Sequence, residues 1–284
     1  MESMVGVTLK KIRKDKNIPI QTICEGVMDP ATYWRLENGK INSSFPTVLQ
    51  ILERMNISIE EFIEEFFSSE ESVYQSYERE LSTYFKNQDI EKLKQLKQKL
   101  SNYFENIKVI KLTHLYYLAD LYIATIDKKY KAKKSEQKIK NYLTKCNNWN
   151  LYELTLLSNV LFIYDLDISF HFYKTAVNKR SKSNTKHIIS LTLNMMSLCI
   201  ENNDKRKMNY LLSILEQIEL DEENTYEIII RKWGIAIARY YLLKDPKYLT
   251  EAENILDILF KLGMSDSYKL YRSWTNQYKK MIGK

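Results

Sequence analysis

The stretch DPATYWRLENGK, residues 29–40, crowds helix-boundary residues into a 284-residue chain that has only four prolines and six glycines. Asp29 can accept a bond from the free N–H groups of a first helical turn, and Pro30 has a helical φ already and no donor to satisfy. Gly39 supplies the stop. The stretch predicts a helix of about two and a half turns, too short to persist alone, so its neighbours must hold it. Along it Tyr33 and Leu36 are three apart and face a core, while Ala31, Trp34, Arg35 and Asn38 share the opposite face. A Trp-Arg pair exposed on so brief a helix marks a candidate functional surface.

The flanking sequence supplies the neighbours. Helix one is expected over Val5 to Lys16, with Val5, Leu9 and Ile12 on one face and Lys10 and Lys14 on the other. Helix two, from Ile20 to Glu25, ends at Gly26, and Val27 and Met28 form the turn before Asp29, which is the connection of a helix-turn-helix. Ser44 caps helix four, Phe45 to Met55. The segment ISIEEF (57–62) opens a fifth helix, with a capping box of Ser58 and Glu61 and a staple of Ile57 and Phe62. Residues 1–66 are thus predicted as one domain of five short helices. Residues 8–16, TLKKIRKDK, carry five cations against one anion, whereas residues 60–71 carry six glutamates, so the basic surface is expected on the first helix.

Composition agrees with an almost wholly helical protein. Hydrophobic residues make up 44% and charged residues 28%, as in soluble globular chains. No strand alternation competes, and no apolar run approaches the roughly 20 residues that span a bilayer. The N-terminus lacks the order of a signal peptide, so a cytoplasmic protein without membrane contact is expected. Cys24, Cys146 and Cys199 are odd in number and far apart, and His114, His171 and His187 form no local pair. Reduced buried thiols, no metal and no cofactor are expected. No paired carboxylates, Ser-His or Cys-His arrangement or phosphate-binding glycine loop suggests catalysis. A net charge of +7 favours anionic partners.

After a glutamate-rich connection at 67–72, amphipathic helices are expected throughout residues 73–284. Asp89, Asp127, Asp165, Asp204 and Asp245 recur at spacings of 38, 38, 39 and 41 residues, each read as the start of a second helix after a first. Two helices per unit of this period mark an α-solenoid, which presents a concave groove. The run KKYKAKKSEQKIK (128–140) reads as a solvated outer helix, since Tyr130, Ile139 and Leu143 leave its lysines on the wet side. On the first helices of later repeats, Asn159, Asn194 and Arg231 lie six, ten and fourteen residues before the repeat's Asp. Such a diagonal row suits an extended peptide, with Asn serving a main chain and Arg a carboxylate. Pairing of Arg231 with Glu227, or satisfaction of either Asn inside the stack, is the competing reading.

From LKKIRKDK through ISIEEF the chain resembles the five-helix DNA-binding domain of phage-repressor-type helix-turn-helix regulators. That resemblance implies that the helix after Asp29 enters the major groove of double-stranded operator DNA, with Arg35 reading bases and Trp34, Ala31, Thr32 and Asn38 beside it. It also implies an internal ion pair between Arg13 and Glu37. The family commonly starts helix two with a polar residue where this chain has Ile20, so Gln21, Lys40 and Lys14 are the substitutes for phosphate contact. With the repeats included, the whole chain resembles the Rgg family of peptide-sensing regulators, whose C-terminal domains are tetratricopeptide-like. The implied protein is all-α, a bacterial cytoplasmic homodimer in quorum sensing, controlled by a short linear peptide pheromone in the concave groove. Asn159, Asn194, Arg231 and Tyr152 are the implied peptide-binding residues. The alternative is a peptide-responsive adaptor acting on a protein partner.

Overall fold

The structure is a computed structural model that describes residues 4–67, 73–104, 109–181 and 184–283. Among these, every regular element is a helix. The chain divides into two compact units, Met1–Asn87 and Gln88–Lys284. The division falls one helix later than the 67–72 connection read from the sequence, which, apart from Phe67, lies outside the described residues.

The first unit holds α1 (Met4–Asp15), α2 (Ile20–Cys24), α3 (Pro30–Glu37), α4 (Phe45–Arg54), α5 (Ile59–Phe67) and α6 (Val73–Lys86). Its core comes from all of the first five helices: Leu9, Ile12, Ile23, Tyr33, Leu36, Ile51, Leu52 and Phe62 are buried. Ile57 packs against that core, and Ser58 and Glu61 exchange the reciprocal bonds of a capping box. Gly6 sets how closely α1 approaches α3: a Cβ there would lie 1.7 Å from the Leu36 carbonyl oxygen, so no larger residue fits without moving a helix. Ile20 packs against the same core, which explains an apolar residue at the start of α2.

The second unit runs α7 (Ile90–Phe104), α8 (Ile110–Ile126), α9 (Lys133–Lys145), α10 (Leu151–Val160), α11 (Leu166–Asn178), α12 (Thr185–Glu201), α13 (Lys205–Gln217), α14 (Thr225–Leu243), α15 (Pro246–Lys261) and α16 (Ser265–Ile282). Consecutive helices pack pairwise from α7 to α9 and from α11 to α16, and α12 packs also on α10, α14 and α16, as stacked hairpins require. Asp165, Asp204 and Asp245 are side-chain N-caps of α11, α13 and α15, and Asp89 accepts from the Lys92 N–H at the start of α7.

Asp127 departs from that pattern. It closes a turn, accepting from the Lys129 N–H, and α9 begins only at Lys133. The cause is Asp120 on α8, whose carboxylate accepts bonds from Lys97, from the Tyr130 hydroxyl at 2.6 Å and from Ser135 Oγ at 2.6 Å. These bonds tie the connection down before the next helix can start. Burial alone would raise the Asp120 carboxyl, but the bonds from Lys97, Ser135 and Tyr130 hold it below the ordinary aspartate value. In the run 128–140 the lysines are exposed except for Lys140, which is partly covered, while Ile139 is buried.

Among the described residues no helix is long and apolar enough to cross a membrane, and no group of His, Cys, Asp and Glu could hold a metal ion.

Candidate nucleic-acid interface and repeat-face polar groups

Two constellations match the residue types singled out in the sequence, one in each unit. The first is α3. Asp29 accepts from the Thr32 N–H at 2.8 Å and from the Thr32 hydroxyl, which fixes the helix start. At the other end Asn38 Nδ2 donates to the Trp34 carbonyl at 2.7 Å, and Lys10 Nζ donates to Asn38 Oδ1 at 2.6 Å. Arg13 and Glu37 form the expected internal pair, bidentate at 2.5 and 3.0 Å, with Glu37 buried. Its orientation is set further by a bond from Arg13 to the Ile18 carbonyl.

These commitments leave a defined outer face. Tyr33 and Leu36 are fully buried, whereas Ala31, Trp34 and Arg35 are exposed. The Arg35 carbonyl accepts from the Lys40 N–H at 2.9 Å, while its guanidinium has no hydrogen-bond or ion-pair partner among the described residues. Lys40 places its ammonium 4.5 Å from the centroid of the Trp34 ring, a cation–π contact. Gln21 and Lys14 are exposed.

The basic run on α1 behaves differently from a simple charged patch. Lys10 is bonded to Asn38, Lys11 pairs with Glu65 on α5, Arg13 pairs with Glu37, and Lys16 donates to the carbonyls of Met55 and Asn56 behind α4. Of its five cations only Lys14 has no such partner among the described residues. Most of the charge that looks available in the sequence is already partnered within the unit.

The second constellation lies on α10, α12 and α14. Asn159 and Asn194 are half-buried, and neither makes a side-chain hydrogen bond among the described residues. Asn194 lies on the side of α12 away from Thr192, whose hydroxyl is shared with Tyr173 of α11 at 2.8 Å. Their helices pack together, so the two amides belong to one stacked surface.

Arg231 is not brought into that arrangement. Its Nη1 donates to the carbonyls of Leu215 and Ile218, at 3.1 and 2.6 Å, where α13 ends. No ion pair joins it to Glu227, which lies instead 4.0 Å from Lys186. The reason is the crowding of α14, which packs against α12, α13 and α15. Trp233 of α14 also donates to Thr275 Oγ1 of α16 at 3.0 Å, and Ser197 of α12 bonds Tyr278 of α16. The C-terminal helix therefore reaches both α14 and α12.

Tyr152 is likewise engaged. Its hydroxyl meets His114 Nδ1 at 2.7 Å, and the two rings stack with centroids 5.9 Å apart. Tyr142 packs edge-on against His114 and donates to Glu153 Oε1 at 2.6 Å. Burial pushes the His114 imidazole down to about 4, against a smaller raising effect of Glu153. In the sequence His114 has no histidine or cysteine close by to mark it. The signal that could have found the pair is the repeat itself, because His114 and Tyr152 are 38 residues apart, one period.

The family described as "HTH-type transcriptional regulator Rgg, C-terminal domain" has a sequence model that matches residues 91–273, more than half of the chain. Solved structures share the fold over nearly the full length. The SHP pheromone receptor Rgg2 of Streptococcus dysgalactiae is 21% identical, with a TM-score of 0.74, covering 96% of this chain and 99% of that one. A candidate transcriptional regulator from Listeria monocytogenes EGD-e is 17% identical, with a TM-score of 0.81, covering 99% and 98%. PrgX, solved as a complex with cCF10, is 16% identical, with a TM-score of 0.75, covering 99% and 92%.

Proposed function

This chain belongs to the family of HTH-type transcriptional regulators Rgg, and on that premise we propose that it is a cytoplasmic, non-catalytic homodimer that binds operator DNA under the control of a short signalling peptide. In this reading residues 1–66 form the DNA-binding domain, 67–72 connect, and 73–284 form the repeat domain that takes the peptide and dimerises. The observation that carries it is Arg35, exposed and unpaired on a helix whose two ends and inner side are bonded in place. A guanidinium held this way can donate bidentately to guanine O6 and N7. Lys14, Gln21 and Lys40 serve as backbone contacts that position the unit.

For the peptide, the support is the pair of half-buried amides, Asn159 and Asn194, on neighbouring helices, neither with a side-chain hydrogen bond among the described residues. Tyr152 and Arg231 act behind them, through His114 and the end of α13. The likeness in fold to a pheromone receptor and to PrgX bound to cCF10 is in keeping with this assignment. The peptide controls DNA binding by having different affinities for two dimer arrangements, since equal affinity would shift nothing.

The test is selection of DNA from a random pool, followed by gel shift with Arg35→Ala. Affinity should fall by about 1 to 3 kcal/mol, with preference relaxed at one base pair. Undiminished and equally selective binding would remove Arg35 as the reader. Calorimetry with peptides encoded beside the gene, repeated on Asn194→Ala, tests the second half: an unchanged affinity excludes that residue.

A further inference from the structure

We infer that Trp34 and Ala31 read the 5-methyl group of a thymine beside the base pair that Arg35 contacts, an assignment that rests on the DNA-binding reading above.

On the outer face of α3 most polar groups are already committed within the protein. Thr32 gives its hydroxyl to Asp29 and keeps only a methyl to add to the apolar surface, Asn38 has both ends of its amide engaged, and Glu37 is buried against Arg13. Beside the Arg35 guanidinium the face presents the Ala31 methyl and the Trp34 indole, which is 49% exposed. Ala31 lies three residues before Trp34 and four before Arg35, so all three are neighbours on one face. The face is one bidentate cation next to an apolar surface.

Only one base offers an apolar group to the major groove, and that group is the thymine methyl. Alanine and aromatic side chains are suited to it, while the guanidinium takes guanine. Lys40 stands over the Trp34 ring at 4.5 Å, which holds the indole in place while leaving its remaining surface open. A Trp34 contact to phosphate, by contrast, could not tell thymine from uracil, which differ only in that methyl.

The probe is the DNA enriched by the full-length protein from a random pool, with each thymine replaced singly by uracil. At one position per half-site, next to the guanine whose identity ceases to matter in Arg35→Ala, loss of the methyl should weaken wild-type binding about fourfold, as one buried methyl implies. Trp34→Ala should be indifferent to the same replacement, and Trp34→Phe should keep part of the effect. Because Trp34 contributes no core packing, both variants should keep the wild-type circular dichroism. Uracil tolerated by the wild type at every position would overturn the assignment, as would an effect undiminished in Trp34→Ala. If Arg35→Ala still weakens binding in either case, only the thymine assignment falls. A pool that enriches no DNA would sink the DNA-binding reading itself.

Discussion

The two units treat polar side chains in opposite ways. In the first, almost every polar group around α3 is bonded to another, and the single cation on its outer face is left over. In the second, the arginine expected to face a ligand is bonded to carbonyls, and two asparagines are left over. The difference suits what each unit would bind. A duplex is stiff, so its reader must be oriented beforehand, and the bonds at both ends of α3 do that. An extended peptide brings a pliable main chain, and half-exposed amides can remain hydrated until it arrives.

The contrast is most severely tested at Arg13. Substituting Arg13→Ala leaves Glu37 buried without its partner and should cost about 3 to 5 kcal/mol. The loss should fall on the first unit, so urea unfolding followed by probes in each unit should separate into two transitions. A single unshifted transition would show that α3 is not held by this pair.

A smaller effect is expected in the second unit, from pH. His114 is neutral in the folded chain, while in the unfolded chain it binds a proton below its ordinary value of ~6.5. Stability should therefore decline as pH falls through ~6.5 and level off near about 4. Between pH 7 and 5 the decline should be about 2 kcal/mol, and it should vanish in His114→Gln. Persistence of the same slope in that variant would place the titrating group elsewhere.

The least disruptive pair distinguishes a bonded residue from an unbonded one. Arg231→Ala should cost about 1 to 3 kcal/mol, because two carbonyls at the end of α13 lose their donor. Asn194→Ala should change stability by less than about 0.5 kcal/mol, because no bond is broken. Equal costs in thermal denaturation would erase the distinction between a bonded Arg231 and an unbonded Asn194 in the second unit.

Much of this was legible without coordinates. The caps at Asp29, Ser44 and Ser58, the burial of Tyr33 and Leu36, and the Arg13–Glu37 pair follow from local rules and a recognisable family pattern, and the structure contains all of them. The repeat period placed four of five aspartates at helix starts. It failed at Asp127 because bonds from Tyr130 and Ser135 to Asp120, ten and fifteen residues back, delay α9. Counting along helices put Arg231 in a row with Asn194, but such counting does not say which neighbour covers a given side of α14.

The sequence alone determined the helical class, the capped starts at Asp29, Ser44 and Ser58 and the repeating hairpin plan, since capping and apolar spacing act within a few residues of one another. Only the tertiary structure decided which charges are free. Four of the five cations in residues 8–16 bond to groups at least five residues away, and Arg231 bonds to carbonyls at the end of the preceding helix. Whether a cation is available to a ligand depends on what the folded chain brings within hydrogen-bond reach, and no periodicity records that distance.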